Sequence, residues 1–270
     1  MLKNLLPAAL VALSLLACTT ASLADAPAPS SAAPGSGDFR YQTTLTAPTR
    51  LEVHDQNGPI VIEPASGDTL EVVGIKTGRK ESFARVQIVT REENGVIAIC
   101  ALWPGQEPSS CRPGSKPGGS SGDDLHVQVE LRLRVPARVS RLDAHTLNGK
   151  IAARSPAGKL HLHTMNGAID ATANGPLTAE TMNGAVVGRA PAGSAVQLST
   201  KNGAVDLLLP AASNADIEAS TMNGRVTSEL GSVPAPSIPN LHDVKLRVGA
   251  GGTPISLRTM NGNVTVRRGS

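Results

Sequence analysis

The chain repeats one short phrase, a threonine followed by any residue, an asparagine and a glycine, and this repeat constrains the fold more than any other feature. Successive copies are 18, 17, 19, 21 and 38 residues apart, and the last interval equals two intervals of 19. A short and nearly constant period is typical of stacked repeats in which each copy contacts only its neighbours. The threonines of the six copies are Thr146, Thr164, Thr181, Thr200, Thr221 and Thr259.

Each interval also contains a second turn, such as Pro156-Ala157-Gly158 or Pro191-Ala192-Gly193. Two turns and two short strands per repeat predict an all-β fold, a single-stranded parallel β-solenoid (β-helix) with rungs of about 18 residues. In the long last interval, Val244–Val248 followed by the glycines of 249–252 is interpreted as a rung that has lost its Asn-Gly turn. An antiparallel meander built from Asn-Gly hairpins is the alternative.

The chain before the repeats shows the same alternation of apolar and polar residues in a less regular form. Residues 38–140 therefore form a more irregular N-terminal β region, with a weaker copy of the turn at Asn57-Gly58. A Gly/Ser/Pro-rich stretch at 104–124 has no periodicity and is expected to be a mobile loop. The repeat region is 141–270, and we expect 38–270 to be one continuous domain.

Alternation along the strands predicts which side chains face the core. In Val196–Asn202 the apolar residues share a face with Thr200 and Asn202, so this face is expected to be the interior. Equivalent asparagines on rungs about 4.8 Å apart can then form a ladder of amide hydrogen bonds. The predicted ladder consists of Asn148, Asn166, Asn183, Asn202, Asn223 and Asn261.

The residue between threonine and asparagine then faces outward in every copy. Four of these six residues are methionine, which suits protein–protein contacts because its side chain is flexible and polarizable. We predict this column as the candidate interaction face: Leu147, Met165, Met182, Lys201, Met222 and Met260.

The N-terminus has the pattern of an export signal. A lysine precedes an apolar stretch that ends in Leu15-Leu16-Ala17-Cys18, so 1–18 is interpreted as a lipoprotein-type signal peptide with lipidation of Cys18. The Ala/Pro/Ser-rich residues 19–37 would be a disordered tether. Cleavage after Ala24 without a lipid is the alternative. The prediction is an outer-membrane or periplasmic lipoprotein that meets the membrane through its lipid anchor only, or a soluble secreted or periplasmic protein.

The two remaining cysteines, Cys100 and Cys111, fit an exported protein. An even pair in an oxidising compartment favours a disulfide, and two free thiols are the alternative. A zinc site is disfavoured because no histidine lies within ten residues of either cysteine.

The stretches Val129–Pro136 and Leu142–Ile151 resemble the bacterial putative-adhesin domain of unknown function, also called Toastrack-like. That family has a strand ending in Val-Pro, repeated Asn-Gly turns and a glycine-rich turn before the last copy, as at Gly249–Gly252 here. The resemblance covers about residues 45–268, and the insertion carrying Cys111 departs from it. It implies a β-solenoid outside the cytoplasm, without enzymatic activity and linked to the cell envelope.

No catalytic pattern stands out. Aromatic residues are 1 % of the chain and the acids are scattered, which disfavours a glycan-cleaving enzyme, and without basic runs a nucleic-acid partner is also disfavoured. We predict no enzymatic activity and no cofactor. One group of polar residues faces outward on neighbouring rungs and is expected to stack, which leaves metal binding as an open alternative. The group consists of Asp143, His145, His161, His163 and Glu180.

The sequence thus predicts a non-enzymatic cell-envelope protein, an adhesin-like or structural interaction module that presents a flat β-solenoid surface to an unidentified envelope or surface protein. The alternative is a β-helix protein that binds or cleaves surface polysaccharides.

Overall fold

The computed structural model describes residues 38–115, 125–230 and 242–269. The predicted signal peptide with Cys18, the tether at 19–37 and part of the loop at 104–124 lie outside the described residues. Within them, no helix is both long and apolar enough to cross a membrane.

The described chain is all-β, with twenty strands and two short 3-10 helices. The 3-10 helices are Lys80–Arg85 and Pro108–Ser110. The strands are β1 (Asp38–Thr44), β2 (Thr49–His54), β3 (Ile60–Pro64), β4 (Thr69–Gly78), β5 (Gln87–Glu93), β6 (Val96–Leu102), β7 (Val127–Val135), β8 (Val139–Asn148), β9 (Ile151–Ser155), β10 (Lys159–Asn166), β11 (Ile169–Ala173), β12 (Leu177–Asn183), β13 (Val186–Arg189), β14 (Val196–Asn202), β15 (Val205–Pro210), β16 (Ala215–Asn223), β17 (Val226–Ser228), β18 (His242–Val248), β19 (Pro254–Asn261) and β20 (Val264–Gly269).

The strands form two ten-stranded sheets that are mostly parallel. Sheet I has the order β1-β4-β7-β3-β9-β11-β13-β15-β20-β17, and sheet II has the order β18-β16-β19-β14-β12-β10-β8-β2-β6-β5. The antiparallel pairs among the described strands are β1–β4, β4–β7, β5–β6 and β16–β18. Each Asn-Gly turn joins a strand of sheet II to the next strand of the chain in sheet I, and does not join two strands paired with each other. The alternative of an antiparallel meander built from Asn-Gly hairpins is therefore wrong.

The core lies between the inner faces of the two sheets. Along each strand, aliphatic residues that face the core alternate with residues that face outward. Leu162 of β10 and Val205 of β15 are fully buried and belong to one continuous cluster that extends from Phe39 to Val266. In-register stacking lets such small side chains fill the interior, because each layer repeats the shape of the layer beside it.

The N-terminal region uses the same corner as the repeats. β2 pairs with β8 and β3 pairs with β9, while Asn57 forms a parallel bridge with Asn148. The weak copy at Asn57-Gly58 therefore makes the first corner of the stack, and residues on both sides of position 140 contribute strands to the same sheets.

The end of the chain departs from the expected stacking order. β19 lies between β14 and β16, and β20 lies between β15 and β17. β18 is an antiparallel strand at the edge of sheet II, so the interpretation of the 38-residue interval as two rungs is wrong. Alternation specifies which face of a strand is buried, but it does not specify the direction of the strand or which strands lie beside it. The sequence therefore could not predict that β19 and β20 insert between earlier strands. A solenoid stacked in chain order is not confirmed.

Candidate functional site

The six Thr-x-Asn-Gly copies form one corner along the long edge between the two sheets. Their threonines are buried, and each hydroxyl donates a hydrogen bond to a glycine carbonyl of the neighbouring copy. Examples are Thr164 to Gly149, at 3.0 Å, and Thr181 to Gly167, at 2.9 Å. The threonine therefore belongs to the interior, as predicted, and binds adjacent corners together.

Glycine is required at the corner because neighbouring backbones approach closely. At Gly184 the φ angle is +149°, and an added Cβ would lie 2.2 Å from the carbonyl oxygen of Gly167. Any larger residue must move the backbone of the adjacent copy, so the glycine fixes the spacing of the stack.

The asparagine ladder is present, and five hydrogen bonds of 2.7–2.8 Å link its six residues, each donated by Nδ2 of one asparagine to Oδ1 of its neighbour. The expectation that it is internal is wrong, since all six side chains are exposed. The asparagine stands where the strand bends into the corner, so alternation no longer determines its direction. In spatial order the ladder runs Asn148, Asn166, Asn183, Asn202, Asn261 and Asn223.

Beside the ladder lies the predicted outward column. Its four methionines are 40–49 % exposed, and they are all of the exposed large hydrophobic side chains among the described residues. Apart from Met1, these four are the only methionines in the sequence. We call this column the methionine edge, and in spatial order it consists of Leu147, Met165, Met182, Lys201, Met260 and Met222.

The methionine edge has the dimensions of a contact surface. Six strands about 4.8 Å apart give it a length of about 24 Å. Lys201, which is exposed, interrupts the apolar side chains and divides the methionines into two pairs. Each ladder amide has a second N–H donor that its hydrogen bond to the next asparagine does not use. The edge can therefore offer an apolar strip, one positive charge and a parallel row of amide groups.

The histidines predicted to stack do come together on the outer face of sheet II. The His145 ring centroid lies 5.3 Å from that of His54, 5.4 Å from that of His161 and 5.8 Å from that of His163. Glu180 pairs with His163 in the strand register, and it accepts a hydrogen bond from Gln197 at 3.1 Å.

Asp143 is held by ion pairs in this cluster. Arg141 donates to its carboxylate at 2.7 Å, Arg50 at 3.3 Å, and His161 Nδ1 lies 3.1 Å from Oδ1. Burial by itself would raise the pKa of Asp143, but the hydrogen bonds from His161 and Arg141 and the charges of Arg141 and Arg50 outweigh burial and hold the pKa below its ordinary value. Within the described ranges no group of three or more potential ligands is arranged to hold a metal ion.

The disulfide prediction is confirmed, because Cys100 and Cys111 are bonded. The bond closes the segment after β6, whose backbone N–H at Gly114 donates to the Glu52 carboxylate at 2.7 Å. The described part of the predicted mobile loop, 104–115, is therefore attached to sheet II.

A buried polar group near this segment was not predicted from the sequence. Glu52, His54 and Asp55 are 3–7 % exposed, although alternation in β2 predicts solvent-facing side chains at the first two. Burial raises the pKa of Asp55 to about 7, against the opposing hydrogen bonds that the Gln56 and Asn57 amides donate to its carboxylate. Glu52 contacts the disulfide segment through the hydrogen bond from Gly114. The alternation within β2 gives no signal of a contact with residues so far along the chain.

Comparison with known proteins finds solved structures that are similar to this chain but no match at the level of sequence. No family model matches the sequence, and no curated protein matches it either. A putative cell adhesion protein from Clostridium sporogenes is similar with a TM-score of 0.45 and 11 % identity, covering 86 % of this chain and 100 % of that one. A putative adhesin from Bacteroides fragilis is similar with a TM-score of 0.36 and 10 % identity, covering 87 % and 98 %.

A putative adhesin from Parabacteroides merdae is also similar, with a TM-score of 0.28, 12 % identity and coverage of 85 % of this chain and 96 % of that one. Structures named as putative adhesins are thus among those that this chain is similar to.

Proposed function

We propose that this protein is a non-enzymatic, adhesin-like interaction module that acts outside the cytoplasm and binds a partner protein through its methionine edge. The observation that carries the proposal is that every exposed large hydrophobic side chain among the described residues stands in this one column. Scattered exposed methionines would be ordinary, whereas a straight row of them on rigid strands favours a recognition surface.

The stack itself supports this use of the edge. The asparagine ladder and the buried threonines hold neighbouring copies in register, so the methionines are presented at a fixed spacing. A rigid scaffold lowers the entropy lost on binding, while the flexible methionine side chains can adapt to the shape of the partner.

The chemistry of the edge describes the partner surface that fits it. That surface would carry an apolar strip, with an acidic side chain opposite Lys201 and polar groups along the asparagine ladder. Location outside the cytoplasm is supported by the Cys100–Cys111 bond, because disulfides persist in oxidising compartments. The lipid anchor at Cys18 remains part of the proposal.

The proposal is tested by crosslinking the full-length protein in its native envelope and identifying its partners by mass spectrometry. The compared chains are the wild type, Met182→Lys and the control Thr265→Lys, which adds the same charge to the outer face of sheet I. A partner that is lost with Met182→Lys and retained with the control supports the methionine edge. Partners that are the same for all three chains would refute it.

A further inference from the structure

The outer face of sheet I carries a second regular array. The strand register from β7 to β20 defines one transverse row, with the β3–β9 register continued one residue beyond its last pair, Ile62 with Ala153. The row reads Arg134, Glu63, Arg154, Thr172, Arg189, Leu208 and Arg267. An arginine therefore stands on every second strand, and neighbouring arginines are about 9.6 Å apart along the row.

The arginines of this row are exposed to solvent, and a groove lies beside them. The side chains of Arg134, Arg189 and Arg267 are 65 %, 42 % and 52 % exposed, and Arg154 is exposed as well. A shallow cavity of about 510 Å³ covers the middle of the row, where Arg154 and Arg189 line it beside the small Ala152. The acids Glu63 and Asp170 also line this cavity. Lys150 lies at its border on the corner side.

Most arginines in the row are restrained by acids on the same sheet, but weakly. Arg189 pairs with Asp170 at 2.5 Å, Arg267 with Asp206 at 3.3 Å, and Arg134 with Glu71 at 3.7 Å. Exposed pairs of this kind contribute about 0–1 kcal/mol, so they orient a guanidinium group without preventing it from binding a ligand anion. Arg154 makes no ion pair with any described residue, so it is the strongest anchor for an anion.

We infer that this groove binds a linear acidic polysaccharide with a carboxylate on every second sugar. The rise of one sugar in an extended β-linked chain is close to the separation of two β-strands, so alternate sugars would place their carboxylates opposite successive arginines. The uncharged sugars between them would lie over Glu63, Thr172 and Leu208. The Glu63 carboxylate and the Thr172 hydroxyl can bind sugar hydroxyl groups, and Leu208 offers an apolar surface. Planar guanidinium groups bind carboxylates through two parallel hydrogen bonds.

Other linear anions fit this row less well. The side chains on one face of an extended peptide repeat every two residues, about 6.6 Å, which does not match the arginine spacing. Single-stranded nucleic acids require aromatic platforms for their bases, and none of the row or groove residues is aromatic. This inference concerns the face of sheet I and does not depend on the methionine edge.

The test measures binding of hyaluronan, a linear glycan with one carboxylate per disaccharide, to the full-length protein by biolayer interferometry at low salt. Arg154→Gln/Arg189→Gln removes two row charges, while Arg258→Gln/Arg247→Gln removes two exposed charges from sheet II. We expect the first variant to bind about tenfold more weakly and the second to bind as the wild type does. Circular dichroism confirms folding, which substitutions at exposed positions should not disturb.

Three outcomes would overturn the inference. One is absence of hyaluronan binding at low salt, and another is equal weakening by both variants, which would mean attraction by net charge alone. The third is binding to anionic phospholipid vesicles with hyaluronan inert, which would assign the face to a membrane surface. Added support would come from weaker binding of dextran, a neutral glycan, and from loss of hyaluronan binding at high salt.

Discussion

At the scale of single residues, burial of Asp55 should make the stability of the protein depend on pH. The pKa of Asp55 is about 7 in the folded protein and near 4 when unfolded, so the folded state holds the proton more strongly. Its contribution is therefore fully present at low pH and is lost as pH rises from about 4 to 7. Asp55→Asn, which mimics the protonated acid, should raise the free energy of unfolding at pH 7.5 by about 2–4 kcal/mol.

Asp143→Asn is the contrasting control. The folded pKa of Asp143 is depressed, so its carboxylate stabilises the protein above the unfolded pKa and this contribution is lost as pH falls. Its replacement should destabilise the protein at neutral pH, opposite in sign to Asp55→Asn. Urea unfolding between pH 4 and pH 8 measures both variants, and an Asp55→Asn curve parallel to the wild type would contradict the assigned pKa.

At the scale of elements, the corner depends on close contact between neighbouring copies. Gly184→Ala would bring a Cβ to 2.2 Å from the Gly167 carbonyl oxygen at a residue whose φ is +149°. Because backbone must move and the new residue is strained, we expect a loss of about 2–5 kcal/mol in the free energy of unfolding. Gly67→Ala, with no atom within 4 Å of the added Cβ, is the matched control and should change it by less than about 1 kcal/mol. Similar shifts in the urea midpoint for both variants would refute the close-approach explanation.

The same corner shows how far local pattern could predict the site. Alternation placed Thr164 inside and Met165 outside correctly because both still belong to a regular strand. It failed at Asn166, the last residue of β10, because the chain bends at the next residue, Gly167. The hydrogen bonds of the ladder nevertheless followed from the period alone, since an in-register stack places equivalent residues side by side whichever way they face.

At the scale of the whole molecule, the period predicted stacked parallel strands but not their order. β19 and β20 enter the stack between earlier strands, while β18 pairs antiparallel with β16 at the edge of sheet II. The consequence for the surface is that Met260, and not Met222, follows Lys201 along the methionine edge. The arginine row likewise emerges only from the complete register of sheet I, because its members lie far apart in the sequence.

The most direct measurement for the central claim uses the positions of the methionines as a built-in probe. Apart from Met1, methionine occurs only at Met165, Met182, Met222 and Met260. Protein produced with photo-methionine and then added to unlabelled envelopes therefore carries its crosslinker within the methionine edge. Irradiation of this mixture should join the labelled protein to a defined partner protein. The same treatment of a variant with leucine at all four positions, which preserves the apolar edge but removes the probe, should give no product.

Absence of a crosslinked product from the wild type, or an equal product from the leucine variant, would contradict the account. A product containing only a second copy of this chain would show that the edge mediates self-association and would contradict the proposed partner.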